Sequence, residues 1–385
     1  MQRIDVRVKA REQSYEIRIG DRLLTSLGSE VRAALGPGAR RAAIVSNKTV
    51  FDLFGEQSDR SLRAADFLVS KWLMRDGERH KSLSSLNQVL NFLVDAGIER
   101  SDVLLSLGGG VAGDLAGFAA ATYMRGIAFV QVPTTLLAQI DASVGGKTGV
   151  NMSAGKNLVG AFHQPRLVLI DTGTLKTLPA RELTAGWCEA VKQGAVGDRK
   201  LFDQTVRFLR ERSIEGGLWS VQDESTTSLT DLIAAHCRFK CSIVARDERE
   251  DIGRVDRHSR RILNFGHTTA HGLESVTGYR CFRHGEAVGY GMLVAGEISK
   301  GLGMLSASEL ELLREAVRLC GKFPRADDLS IDKIIDTLSR DKKAVSGVVK
   351  WVLLEHIGRP RIVNGAEIRK SLLRESLRAG LRPLS

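Results

Sequence analysis

Val103-Leu104-Leu105-Ser106-Leu107 runs directly into Gly108-Gly109-Gly110, and this junction limits the fold more than any other stretch. A short apolar run closed by a turn signal has the length of a strand buried on both faces. Glycines let the chain leave such a strand sharply. The small residues from Ala116 to Thr122 then suit a helix packed close on a sheet. The alternation recurs: Arg41-Ala42-Ala43-Ile44-Val45-Ser46, Ile127 to Val132 and Leu167 to Ile170 are strand-type runs. Between them, Ser82 to Ala96 spaces Leu83, Leu86, Val89, Leu90 and Leu93 at helical intervals. Such a pattern predicts parallel βαβ units in an open Rossmann-like sheet, with ligands beyond the carboxyl ends of its strands.

After Leu178-Pro179 helical patterns take over, as in Leu229 to Val244 and Ala287 to Ile298. We therefore read an α/β domain over 1–180 and an all-α domain over 181–385. Arg246 to Arg261, dense in both charge signs, reads as an exposed loop or hairpin, and Glu367 to Ser385 as a solvated terminal helix. A formal charge of +11 favours an anionic partner. With basic residues dispersed and no nucleic-acid-reading signature, that partner reads as a phosphorylated small molecule rather than nucleic acid. Five cysteines without framework spacing suggest a reduced, cytoplasmic chain. Met1 to Val6 opens with strand-like alternation rather than a signal peptide, and no apolar run is long enough to span a membrane.

Three constellations carry chemistry. The glycine cluster Gly108-Gly109-Gly110…Gly113 departs from the G-x-G-x-x-G fingerprint, yet a pyrophosphate at that strand–helix junction would meet free N–H groups. Asp114 could orient a sugar hydroxyl or cap the helix. His267 and His271 lie one turn apart, with His284 a short loop later, so two or three imidazoles and one carboxylate could form an open metal site. Spacing does not identify the carboxylate; Glu189, in an apolar setting, is the best candidate, against a plain i,i+3 surface pair with Lys192. Finally, Lys147, Lys156, Lys192, Lys240, Arg260, Lys342 and Lys343 supply cations beside the glycine turns or the histidines.

Together these motifs resemble the 3-dehydroquinate synthase family of sugar phosphate cyclases. The likeness runs from Asp76-Gly77-Glu78-Arg79-His80-Lys81 through Gly110-Val111-Ala112-Gly113-Asp114, Thr134-Thr135, Gly145-Gly146-Lys147 and Gly155-Lys156-Asn157. It continues in Glu189-Ala190-Val191-Lys192, Asn264-Phe265-Gly266-His267-Thr268, His271, His284-Gly285-Glu286 and Arg340-Asp341-Lys342-Lys343. The resemblance implies an NAD-binding Rossmann-like domain followed by a helical metal-binding domain. It implies that Glu189, His267 and His284 ligate a divalent metal, zinc or alternatively cobalt. NAD would meet Asn47, Asp76, Gly77, Glu78, Lys81, Gly109, Gly110, Gly113, Asp114, Thr134, Thr135, Lys147, Lys156, Thr174 and Thr177. Substrate would meet Asp141, Lys147, Asn157, Lys192, Lys240, Arg260, Asn264, His271 and Lys342 or Lys343, with Arg125 reaching the neighbouring subunit of a homodimer. His271, Lys147, Lys192, Asn264 and Glu189 would carry the catalysis.

The implied reaction converts 3-deoxy-D-arabino-heptulosonate 7-phosphate to 3-dehydroquinate and phosphate, a step of the shikimate pathway. It proceeds by transient oxidation with NAD, phosphate elimination, re-reduction and internal aldol closure. This chain departs from the family at Ala270, where glycine is usual, at Gly289-Tyr290, and in a longer segment from Asp251 to Arg260. The last leaves Arg257 and Arg261 as alternatives to Arg260. Another sugar phosphate cyclase or a metal-dependent polyol dehydrogenase are the competing functions.

Overall fold

The computed structural model describes residues 14–153, 155–211, 228–344 and 349–384, with backbone alone for 339–344. The opening alternation of Met1 to Val6 lies outside the described residues. In the first half the strands are β1 (Glu16–Gly20), β2 (Arg41–Asn47), β3 (Leu68–Met74), β4 (Val103–Gly108), β5 (Ala128–Pro133), β6 (Lys147–Met152), β7 (Gly155–Phe162) and β8 (Leu167–Asp171). The helices are α1 (Leu27–Leu35), α2 (Lys48–Val50), α3 (Glu56–Ala64), α4 (Leu83–Asp95) and α5 (Gly110–Thr122). Six strands form one parallel sheet in the order β1-β8-β5-β4-β2-β3. All six residues of β4 are buried, as a central parallel strand requires.

Local rules place each element. Ser82 caps α4 by accepting from the Ser85 amide, and Leu86, Val89 and Leu93 form its buried stripe. The small residues of α5 let two layers approach it. A Cβ on Gly117 would lie 2.4 Å from Thr148 Cγ2, so α5 is pressed against the β6–β7 hairpin. That antiparallel hairpin thus carries Lys147, Lys156 and Asn157 on the far side of α5 from the sheet.

The second half contains α6 (Ala180–Gly197), α7 (Arg199–Glu211), α8 (Leu229–Val244), α9 (His267–Val276), α10 (His284–Gly301), α11 (Ala307–Leu319), α12 (Ile331–Ala344) and α13 (Lys370–Gly380). Gly285 to Gly296 of α10 is buried without a break, the mark of a central helix surrounded by others. One departure from the all-helical expectation is the antiparallel hairpin of β9 (Lys350–His356) and β10 (Arg359–Asn364). Trp351 to Leu354 are all buried, and the Leu354 amide donates to Ser299 Oγ of α10 at 3.1 Å. Four consecutive core residues cannot share one helix face, so a strand buried on both sides accommodates them. Residues 246–259 form turns rather than a hairpin. The largest core joins Val168 and Ile170 of β8 to Trp187, Phe202, Tyr290 and Leu353, so packing is continuous across residue 180.

Candidate active site

Close helix packing builds the centre of the site. A Cβ on Gly285 would stand 1.9 Å from the Ala185 carbonyl oxygen, so α10 touches α6 backbone to backbone. Gly266, left-handed at φ 78°, lets α9 start against α10, where a Cβ on Gly291 would stand 2.0 Å from the Gly266 oxygen. These two contacts gather the first residue of α9, His267, and the first of α10, His284, around Glu189 in the middle of α6. His267 Nε2 is 4.0 Å and His284 Nε2 3.7 Å from Glu189 Oε1. The ligand atoms of the three residues all lie within 4.8 Å of one another.

The donor set fits a divalent metal. Glu189 is 1% exposed, and neither carboxylate oxygen has a hydrogen-bond donor among the described residues. Lys192 Nζ stands 2.5 Å from Oε2 but off the direction of a hydrogen bond. The outer nitrogens of both histidines are occupied: His267 Nδ1 is 3.2 Å from the Phe265 carbonyl, and His284 Nδ1 3.3 Å from Glu274 Oε1. With those nitrogens protonated, both Nε2 lone pairs are free to bind a metal. Burial raises the Glu189 pKa, while burial and the nearby Lys192 push His267 well below its ordinary value. Burial outweighs the ion pair with Lys192 at Glu189, and adds to the repulsion from Lys192 at His267. The exposed His271 stands beside this trio, its ring 5.8 Å from His267 and 6.2 Å from His284. The methyl of Ala270 points away into the core.

A cluster of cations adjoins the trio. Lys192 and Lys240, both buried, converge on Asp141: Lys192 Nζ at 3.3 Å, and Lys240 on both the carboxylate and the carbonyl. Burial opposes the Asp141 charge, but the two ammonium groups hold its pKa well below the usual range. Arg260, 3% exposed, is tied by its amide to Asp247 and by its guanidinium to the carbonyls of Glu248 and Gly145. Arg257, by contrast, is exposed. Lys147 pairs with Glu250, whose other oxygen accepts from Asn264 Nδ2 at 3.1 Å. The arrangement is a cluster of cations beside the three-ligand centre, suited to an anionic, hydroxylated molecule.

The glycine turn forms the other end. Gly109 and Gly110 open α5 beyond the end of β4, where a Cβ would meet Thr135 at 3.0 Å and Ala142 at 3.1 Å. Gly113 touches Gln131 in the same way. Lys81, 3% exposed, reaches Asp114 at 2.8 Å, Asn157 at 2.6 Å and Glu78 at 3.3 Å. Burial disfavours its charge, yet the two carboxylates raise its pKa overall. Asn47 caps α2 at the end of β2, and Asp76 accepts from Thr49 nearby; Gly77 follows with φ 104°. The Thr134 amide is bound to the Gly108 carbonyl, and Thr135 caps the next turn. Thr174 is buried, its hydroxyl spent on Asp171 and Gln139, while Thr177 lies further along at the surface of that turn.

Arg125 lies between α5 and β5, at the edge of the sheet opposite the glycine turn, and is exposed. The side chains of Lys342 and Lys343 lie outside the described residues. Sequence reasoning missed Glu274 and Glu250. Glu274 sits seven residues after His267, the same helix face, which is the signal that could have found it. Glu250 had no such signal within its charged segment.

Comparison with known proteins agrees in both halves. Residues 71–185 match the 3-dehydroquinate synthase N-terminal family and residues 186–344 the 3-dehydroquinate synthase C-terminal family. A curated 3-dehydroquinate synthase of Pelotomaculum thermopropionicum is 43% identical over 377 residues, covering 97% of this chain and 96% of that protein. Among solved structures, 2-epi-5-epi-valiolone synthase from Streptomyces hygroscopicus subsp. jinggangensis, with NAD+ and Zn2+ bound, aligns with a TM-score of 0.81 at 28% identity, covering 97% and 98% of the two chains. A 2-deoxy-scyllo-inosose synthase complexed with carbaglucose-6-phosphate, NAD+ and Co2+ aligns at 0.79 and 25% identity, covering 95% and 97%.

Proposed function

The chain belongs to the 3-dehydroquinate synthase family, and from that premise we propose that it releases phosphate from 3-deoxy-D-arabino-heptulosonate 7-phosphate and closes the product to 3-dehydroquinate. The observation that carries this reading is the buried Glu189, ion-paired with Lys192 and flanked by two oriented histidines, beside the Lys192–Asp141–Lys240 cluster. Glu189, His267 and His284 would hold zinc, with cobalt as the alternative. NAD would lie across Gly109, Gly110 and Gly113, with Asp76, Gly77, Glu78, Lys81 and Asp114 around it and Asn47, Thr134, Thr135, Lys147, Lys156, Thr174 and Thr177 at its borders. When bound, NAD supplies reversible hydride transfer and the metal supplies Lewis acidity.

The chain's own groups do the rest. Lys192 and Lys240 exchange their hold on Asp141 for charge-assisted bonds to the sugar acid, and Arg260 with Asn264 fixes its orientation. Lys147, at the open end of the β6–β7 hairpin, and Asn157, near its turn, would add further polar contacts to the substrate, as would Lys342 or Lys343. His271, beside the centre but outside the ligand trio, accepts the proton of the reacting hydroxyl. Arg125 is exposed and lies at the other end of α5 from its own glycine turn, which supports its service to the partner subunit of a homodimer. Cytoplasmic residence rests on the five free cysteines.

The test is phosphate release from that substrate with NAD and zinc, with NADH absorbance followed in the same sample. Phosphate and 3-dehydroquinate without net NADH, abolished by a chelator, are expected. Net NADH without phosphate would replace this reading with a polyol dehydrogenase. Turnover of a different sugar phosphate alone would move the chain to another cyclase branch, though curated relatives above 40% identity favour the dehydroquinate branch.

A further inference from the structure

Glu274 is a buried acid beside the centre to which that reading gives no role. It is 3% exposed in the last turn of α9, and its Oε2 has no hydrogen-bond partner among the described residues. Its Oε1 lies 3.3 Å from His284 Nδ1 and 3.1 Å from Lys156 Nζ, which arrives on β7. Lys156 also sits 4.5 Å over the ring of Tyr279. A carboxylate is costly to bury, and a simple tie between α9 and the hairpin could have been made at the surface for less. This one is instead placed against the outer nitrogen of a metal-site histidine.

We propose that Glu274 is a positioning residue for His284, an inference that rests on the metal-site reading above. By accepting from His284 Nδ1, it fixes the proton on that nitrogen and the rotation of the ring. Nε2 is thereby left unprotonated and aimed at Glu189 Oε1, 3.7 Å away. Lys156 pairs with the same oxygen, so Glu274 can serve the histidine without standing as an isolated charge in the core. The β6–β7 hairpin, α9 and α10 therefore meet on one carboxyl group, and the hairpin takes part in setting the metal ligand's orientation.

The test uses full-length protein without NAD or substrate. Zinc affinity is measured by competition with a chromophoric chelator, and the visible absorption bands of bound cobalt report ligand geometry. E274A should bind zinc about 10- to 100-fold more weakly than the parent. E274Q, whose amide oxygen can still accept from Nδ1, should recover part of that loss and shift the cobalt bands. If E274A does not fold, E274Q carries both readouts. Parent-like affinity and cobalt bands in the variants, with only a lower unfolding temperature in chelator, would make Glu274 a structural tie and overturn the proposal. A parent whose zinc uptake survives E189Q would instead overturn the metal-site reading, and this inference with it.

Discussion

Replacing Gly285 with alanine adds one methyl group at the closest helix–helix contact in the site. The new Cβ would stand 1.9 Å from the Ala185 carbonyl oxygen, 2.5 Å from its carbon and 2.6 Å from its Cα. To regain ordinary contact, α10 must retreat from α6 by about 1.5 Å. Its neighbours in contact are backbone atoms, so no side chain can swing aside to absorb the strain. Overpacking of this kind costs about 1–3 kcal/mol, and a backbone clash belongs at the upper end. His284 immediately precedes Gly285 and travels with the helix, whereas metal–ligand distances tolerate only about 0.2 Å. We therefore expect G285A to bind zinc more than about 100-fold more weakly, a larger loss than removal of an outer-shell partner produces. Chelator competition measures the affinity, and thermal unfolding in excess chelator measures stability independently of metal. G38A, where a Cβ would meet nothing within 4 Å, is the matched control. Zinc affinity within threefold of the parent, with an unchanged unfolding temperature, would refute the claim that this contact holds the site together.

Three further outcomes are expected. His236 is buried between Gln193 and Thr205, and burial pushes its pKa down to about 3. Its folded value is depressed, so its contribution to stability is complete above the unfolded value near 6.5 and is lost as pH falls toward 3. The slope is about 1.4 kcal/mol per pH unit. Urea unfolding between pH 6.5 and 5 should therefore cost the parent about 2 kcal/mol more than H236Q, and equal losses would exclude this origin. D141N leaves Lys240 buried without its acid and Lys192 with Glu189 alone, and should destabilise the fold by about 3 kcal/mol. Adding K240M should return part of that in urea unfolding, and a double variant weaker than D141N would contradict it. Finally, R125A and E189Q should each be inactive alone, yet refolding them together should restore about a quarter of parental turnover, because half the dimers are mixed and each has one complete site. No recovery would place Arg125 outside the partner's site.

What the sequence made legible follows from how local each signal was. The run into Gly108, the helical spacing from Ser82 to Ala96 and the apolar Leu167 to Ile170 are short-range patterns, and each element stands within a few residues of its expected position. Spacing gathered His267, His271 and His284 without choosing among them, and the choice of His267 and His284 rested on the family resemblance. The link from Glu274 to Lys156 spans 118 residues and left no mark beyond an ordinary helical acid. The β9–β10 hairpin escaped notice because a buried strand and a buried helix segment have the same apolar composition at that length. The long segment after Asp247 was read correctly as exposed, with Ile252 74% exposed. Its anchoring was not foreseen: Asp247 accepts from the amides of Asp251 and Arg260 at once and so closes the loop at its base.

The pairing of β1 with β8 sets an order on the birth of this molecule. Residues 16–20 lie against residues 167–171, and Asp171 accepts from the amides of Arg22 and Leu24. A ribosome must therefore deliver some 150 residues before β1 finds β8. Until then β1 stands without β8 and β5 presents an open edge, both templates for unwanted association. Slow, late closure is the expected kinetic signature of such distant pairing. A nascent chain arrested shortly before residue 167 would be the form most in need of a chaperone.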